Sequence, residues 1–232
     1  MKKILVFTAT YNEKENIKKL VSSIFKYCPN ISVLIVDDNS PDKTAEEIEI
    51  LKSKFKNISL IKRESKLGLD TAHKLAYRYA LDNGYDYLIT MDADLSHDPA
   101  ELNNFIYNLE NYPFVIGSRY APGGKCLMKG RRLLISKYGN IFIKLILRID
   151  CNEFTTSYRG FDVKKLGSFN LDIVKASGYS FFMKTIFEIS KRNIKIKEIP
   201  ITFKDRSLGY SKLPRIEIFR TLLNLFILLF KK

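Results

Sequence analysis

"YDYLITMDADLSHDP", residues 85–99, opens as an apolar stretch of β-formers and stops on acids: Asp92 and Asp94 lie two residues apart, with Asp98 four further on. Branched and aromatic residues bounded by polar ones read as a buried strand. Two carboxylates leaving that strand together repel each other, and a divalent cation shared between them removes the repulsion. The pair therefore predicts a strand end that holds Mg²⁺ or Mn²⁺. Loop acids that merely cap the helix after Pro99 are the alternative reading of a lone D-x-D triplet.

The same pattern recurs on both sides. "KILVFTA" (3–9), "SVLIVDD" (32–38), "ISLIK" (58–62) and "PFVIGSR" (113–119) read as strands, with helical patterns over 13–27, 42–56, 70–83 and 99–110. This alternation predicts an α/β fold, a mostly parallel twisted sheet flanked by helices. "IKIKEIPITF" (194–203) reads as one more strand, and Ser40 or Asp42 is expected to cap the helix carrying Glu46 and Glu47. Ligands of open parallel sheets bind outside the carboxyl ends of the strands. Four polar clusters occupy such ends: "TYNE" (10–13), "DDNSPD" (37–42), "DADLSHD" (92–98) and "GSRY" (117–120). They are expected to converge on one rim.

A chain of 232 residues, 46% hydrophobic, suits one sizeable domain. Its net charge of +14 favours an anionic partner: a nucleotide, an acidic membrane surface or nucleic acid. No RNP-type aromatic block or helix-turn-helix pattern supports nucleic acid, and the acid clusters oppose it. Cys28, Cys126 and Cys151 are far apart without metal-ligand spacing, so buried free thiols are expected. GxxxxGK[ST], GxGxxG, HExxH and GxSxG signatures are absent. The apolar run in "MKKILVFTATYNE" is too short for a secretory signal. His73 is expected to be structural and His97 to stabilise its loop.

The tail "IEIFRTLLNLFILLFKK" (216–232) falls short of a bilayer span at about 1.5 Å per helical residue. Glu217, Arg220, Thr221 and Asn224 recur at three- and four-residue steps, which predicts an amphipathic helix. A place in the membrane interface, closed by Lys231 and Lys232, is favoured; docking on the protein's own body is the alternative.

Taken in order, "TYNEKENI", "VDDNSPDKT", "KLGL", "MDADLSHDP", "GSRY", "GYSF" and "EIPITFKDRSLGYSKL" resemble the blocks of glycosyltransferase family 2, and within it those of the polyprenol (dolichyl) phosphate mannosyltransferases. The resemblance implies a nucleotide-sugar-binding domain of the GT-A type over 1–212, with an acceptor loop and helix at about 121–149, followed by an interfacial helix over 213–232. It implies transfer of a hexose, mannose favoured, from a nucleotide sugar to a lipid phosphate by metal-assisted inverting displacement. GDP-mannose is the favoured donor, with a UDP-sugar possible. The setting implied is cytoplasmic, peripheral to the cytosolic face of an anionic membrane, without nucleic acid. A family 2 transferase with another sugar or a non-polyprenol acceptor is the alternative.

Carried over by position, Thr10, Tyr11, Glu13, Asp37, Asp38 and Lys66 would bind the nucleotide. Asp92 and Asp94 would hold the metal and, with Arg119, form the catalytic group. Arg119, Arg132, Ser136, Arg206 and Lys212 would bind the acceptor phosphate. A phosphate is already ionised at neutral pH, so no base is needed; cations must instead hold two anions together. Phe182 and Lys184 stand where the family usually carries glutamine and glutamate, which would put an ammonium near the sugar or acceptor. Glu153 stands where aspartate is common.

Overall fold

The computed structural model describes residues 2–205 and 215–229. In chain order the elements are β1 (Ile4–Thr10), α1 (Lys14–Tyr27), β2 (Ser32–Asp37), α2 (Thr44–Lys54), β3 (Ile58–Lys62), α3 (Leu69–Asp82) and β4 (Tyr87–Thr90). A 3₁₀ turn, Pro99–Glu101, leads into α4 (Leu102–Leu109), followed by β5 (Phe114–Ser118), β6 (Lys125–Cys126) and α5 (Gly130–Leu147). The chain continues with β7 (Arg159–Asp162), α6 (Tyr179–Lys191), β8 (Ile196–Pro200), β9 (Thr202–Phe203) and α7 (Arg215–Leu229).

Seven strands form one sheet in the order β3-β2-β1-β4-β7-β5-β8, while β6 and β9 pair separately. β7 alone runs antiparallel, to β4 on one side and β5 on the other. The strand order turns back at β1, with β2 and β3 on one side and β4 on the other, which is where a crevice opens in such sheets. Alternation along the strands supplies two cores. Leu5, Phe7, Leu34, Val36 and Leu88 face the side covered by α3, α5 and α6. Val6, Val33, Ile35 and Ile89 face α1, α2 and α4.

Local chemistry differs from expectation at the start of α2. Ser40 does not cap the helix: its hydroxyl donates to Asp37. Asp42 takes the N–H and hydroxyl of Thr44 instead, one residue outside the Lys43 cap position. The reading of 194–203 as a single strand is also revised, since the segment divides into β8 and β9. Cys28 and Cys151 are buried free thiols; Cys126 is half-buried.

α7 lies on α5 and α6, with Leu225 and Leu228 each 1% exposed in the larger core. Of the expected polar face, Thr221 and Asn224 turn toward the protein, while the side chains of Glu217 and Arg220 lie outside those described. Asn224 Nδ2 donates to Ser180 Oγ at 3.2 Å and Thr221 lines the main cavity, while Leu223 and Phe226 are 52% exposed. α5 likewise exposes Leu134, Tyr138 and Leu145. Lys231 and Lys232 lie outside the described residues, and among those described no helix is long and apolar enough to cross a membrane.

Candidate active site

β1, β2 and β4 are buried on both faces, so their first polar residues appear together where the strands emerge. Each turn that follows contains a non-glycine residue with positive φ: Asn12 (62°) after β1, Asn39 (56°) and Lys43 (68°) after β2, and Leu95 (63°) after β4. Asparagine adopts this conformation readily; leucine does so at a cost of about 1–2 kcal/mol. Such strain persists where surrounding contacts over-determine it. At Leu95 those contacts come from its neighbours. Asp94 Oδ1 accepts from Ser96 N (3.1 Å) and Oγ (2.5 Å), and His97 is buried against the Tyr158 and Phe203 rings.

The Asp92 backbone N–H donates to His97 Nδ1 at 3.0 Å. Nδ1 is therefore the unprotonated nitrogen, and Nε2–H is left to donate to Thr156 Oγ1 at 3.3 Å. Burial lowers the His97 pKa despite the nearby charges of Asp92 and Asp94. The ring is thus a neutral brace for the acidic turn, and its 3.8 Å approach to Asp92 Oδ2 is not an ion pair.

Asp92 Oδ1 accepts from Ser157 Oγ at 2.5 Å, while Oδ2 has no hydrogen bond to a described residue. Both aspartates line a cavity of about 590 Å³. Among the described residues no three His, Cys, Asp or Glu side chains gather as ligands. Two hard oxygen donors, one with a free oxygen, beside open space fit Mg²⁺ or Mn²⁺, which commonly take one or two carboxylates and fill the remaining positions with substrate phosphate and water.

Arg119, 7% exposed, lines the same cavity. Its Nε and Nη2 grip Glu153 at 2.6 and 2.7 Å, and Nη2 also donates to Thr155 at 2.8 Å. Gly124 allows this placement, since a Cβ there would lie 2.5 Å from Ser118 O and 2.8 Å from the Arg119 backbone. Burial would raise the Glu153 pKa, but the charge and hydrogen bonds of Arg119 and the bonds from Thr155 bring it below the usual value. Three of the five guanidinium N–H groups are thereby spent. The two on Nη1 have no described partner and remain for a ligand.

Arg132 and Ser136, on α5, line the same cavity; Arg132 pairs with Asp205 at 3.1 Å, and Ser136 accepts from Tyr120 Oη at 2.7 Å. Lys66 lines it too and lies 4.0 Å from the Tyr11 ring centroid, joining the β1 rim to the cavity. The other expected nucleotide residues lie along that rim, not in the cavity wall. Thr10 and Ser40 both bond to Asp37, and Glu13 accepts from Asn16 Nδ2 at 2.8 Å. Asp38 is tied to Arg63, which also reaches Thr71 and Gly68 O. Arg206 and Lys212 lie outside the described residues.

Lys184 is not among the residues that line the cavity. Its Nζ donates to Lys175 O at 3.0 Å, and Phe182 lines the wall instead. The far half of the cavity is apolar, formed by Ile135, Phe142 and Ile143 of α5, Phe182 of α6 and Leu222 and Leu225 of α7.

Two groups of contributors were not among the expected site residues. One is Arg63, directly after β3, whose position just past a strand is the signal that points to the rim. The other is the segment Glu153–Ser157 with Arg159. Arg159 is 1% exposed and donates to the carbonyls of Thr156 (2.9 Å), Phe182 (2.9 Å) and Phe154 (3.2 Å), clamping the segment to α6. Burial without a carboxylate partner brings its pKa down to about 9. An arginine amid aromatics in "FTTSYRGF" is the signal for this clamp.

Comparison with known proteins gives the same picture. The chain is 33% identical over 212 residues to an undecaprenyl-phosphate mannosyltransferase from Micrococcus luteus, covering 91% of this chain and 87% of that one. It is 35% identical over 212 residues to a polyprenol monophosphomannose synthase from Mycolicibacterium smegmatis, covering 90% and 80%. A mannosyltransferase from Pyrobaculum calidifontis, solved with GDP-Man and Mn²⁺, shares the fold with a TM-score of 0.65 at 18% identity, covering 99% of this chain and 64% of that one. Glucosyl-3-phosphoglycerate synthase from Mycobacterium tuberculosis, solved with UDP, does so at 0.66 and 16%, covering 98% and 80%. With the sequence model described as glycosyl transferase family 2 matching residues 5–169, the chain belongs to glycosyltransferase family 2.

Proposed function

We propose that the protein transfers mannose from GDP-mannose to a polyprenyl phosphate, with Asp92 and Asp94 holding Mg²⁺ or Mn²⁺. The observation that carries this reading is the lining of one cavity, which combines the carboxylates of Asp92 and Asp94, the guanidiniums of Arg119 and Arg132 and an apolar set from α5, α6 and α7. The names of the two curated relatives support the sugar and the acceptor.

A divalent ion there would stabilise the negative charge that develops on the departing diphosphate. The chain's own residues do the rest. Nη1 of Arg119 and the guanidinium of Arg132 bind the acceptor phosphate and offset its repulsion from the donor. No side chain needs to remove a proton, because the attacking oxygen is already anionic. Direct attack by that oxygen on the sugar carbon inverts the anomeric configuration. Lys66 and Tyr11 enclose the nucleotide from the β1 side, with Thr10, Glu13, Asp37 and Asp38 shaping that rim. The apolar half accepts the first part of the lipid chain. Arg206 and Lys212 complete the acceptor site in this reading.

The outward apolar side chains of α5 and α7, beside exposed Lys129, Arg131 and Lys137, support binding to an anionic membrane surface, and in this reading the enzyme works at the cytosolic face. The domain would span 1–212, with 213–232 as its interfacial helix. The test is transfer from radiolabelled GDP-mannose, UDP-glucose and UDP-GlcNAc to polyprenyl phosphate, with and without Mn²⁺. Product from GDP-mannose that is lost on chelation supports the proposal. Product from a UDP-sugar alone, or metal-independent transfer, overturns it.

A further inference from the structure

We propose that Ser157 is a positioning residue for the metal-binding carboxylate: its hydroxyl holds Asp92 by Oδ1 and leaves Oδ2 as the ligand oxygen. The inference rests on the metal reading above and assigns a role to a residue 65 positions away in sequence.

Ser157 sits on a segment with little freedom. Its carbonyl accepts from the Thr90 hydroxyl at the end of β4, the strand that delivers Asp92. Arg159 holds Thr156 O and Phe154 O on the same segment, and Thr156 Oγ1 accepts from Tyr158 N at 3.2 Å. The backbone that carries the hydroxyl is therefore held by contacts within the protein. At 2.5 Å its bond to a carboxylate is short and charge-assisted, the strong kind of O–H···O⁻ contact. Asp92 is otherwise unrestrained, with its side chain 33% exposed and Oδ2 unbonded among the described residues.

The same segment also serves the guanidinium of the cavity, since Glu153 and Thr155 accept from Arg119. One strap thus sets the separation between the carboxylate and guanidinium sides. Partners that orient a first ligand typically change metal affinity by about 10–100-fold when removed.

The experiment uses the full chain. Mn²⁺ binding is followed by the EPR signal of the free ion in the presence of saturating GDP, and GDP binding without metal is measured separately. Ser157→Ala is expected to weaken Mn²⁺ binding by roughly tenfold or more with metal-free GDP affinity unchanged. Ser157→Cys, which keeps the volume but donates weakly, is expected to behave alike. For both variants turnover recovers when Mn²⁺ is raised. Wild-type-like Mn²⁺ affinity in either variant overturns the proposal, as does a turnover loss that excess Mn²⁺ leaves in place. A wild-type protein that binds no Mn²⁺ with GDP removes the metal reading itself, and the role of Ser157 with it.

Discussion

Glu153→Gln isolates the buried pair that presents Arg119. Glutamine keeps the shape but turns one acceptor oxygen into a donor facing Arg119, and leaves the guanidinium 93% buried without its counter-charge. Removing one partner of such a pair costs about 3–5 kcal/mol. For a chain of this size each kcal/mol moves Tm by about 2–4 °C, so a fall of roughly 6–20 °C is expected in a calorimetric melt at pH 7.5. The pH dependence provides a second check. Burial alone would raise the Glu153 pKa, yet Arg119 brings it below the ordinary value, so the folded pKa lies under the unfolded one of about 4.3. The pair's contribution is then complete above pH ~4.3 and is lost as pH falls through the folded pKa. The difference in Tm between wild type and Glu153→Gln should hold from pH 8 to about 5 and narrow below about 4. Inorganic phosphate should stabilise the variant more than wild type, because an anion bound only to the folded state replaces the missing carboxylate. A variant melting within about 2 °C of wild type, or a gap unchanged in acid, refutes the reasoning.

Asp94→Asn should lower mannose transfer by on the order of 10²-fold, about 2.7 kcal/mol of transition-state stabilisation, and near-normal metal-dependent turnover would place the ion elsewhere. Arg132→Ala should raise KM for the lipid phosphate by roughly tenfold with donor affinity intact; equal loss of both signals global damage. His73 packs among Phe7, Phe181 and Phe182 with its pKa brought down to about 3 by burial, then by Arg159, so its stabilisation is full above pH ~6.5 and falls by about 1.4 kcal/mol per pH unit below it. His73→Phe should flatten the decline in urea stability between pH 6.5 and 5, and an unchanged slope refutes this. A chain ending at Pro214 loses Leu225 and Leu228 from the core and should melt lower and no longer sediment with anionic vesicles. Undiminished vesicle binding by a folded truncated chain would assign the contact to α5 alone.

The first five strands and their helices were legible because strands buried on both faces are continuous apolar runs, and the rim acids were legible because they end those runs. β7 was not. "RGFD" is four residues with a charge at each end, and it is a strand only because β4 and β5 offer backbone partners on both sides. α6 buries nine of its 13 residues, polar Ser180, Lys184 and Thr185 among them, so polarity does not mark its inward face. Ser157 and Arg63 act on carboxylates 65 and 25 residues away, and no local pattern encodes such a distance. Lys184 shows the converse: its position in a motif pointed to the cavity, but the side chain turns to the Lys175 carbonyl. Periodicity likewise defines two faces of α7 without saying which one meets the protein.

The late arrival of β7 bears on how the protein is made. β4 ends at Thr90 and β7 begins at Arg159, so about 70 residues separate two strands that lie side by side. At synthesis rates of about 5–20 residues per second the half-sheet β3-β2-β1-β4 waits roughly 4–14 s for its neighbour. Through that interval β4 presents an unpaired edge of entirely buried-type residues, Tyr87 to Thr90, the kind of edge that pairs with other chains. β5 cannot close it, because β5 reaches the sheet only through β7. The nascent chain is thus aggregation-prone until residue 162 has emerged, and slowing elongation between residues 90 and 160 should reduce the yield of folded enzyme more than slowing it anywhere later.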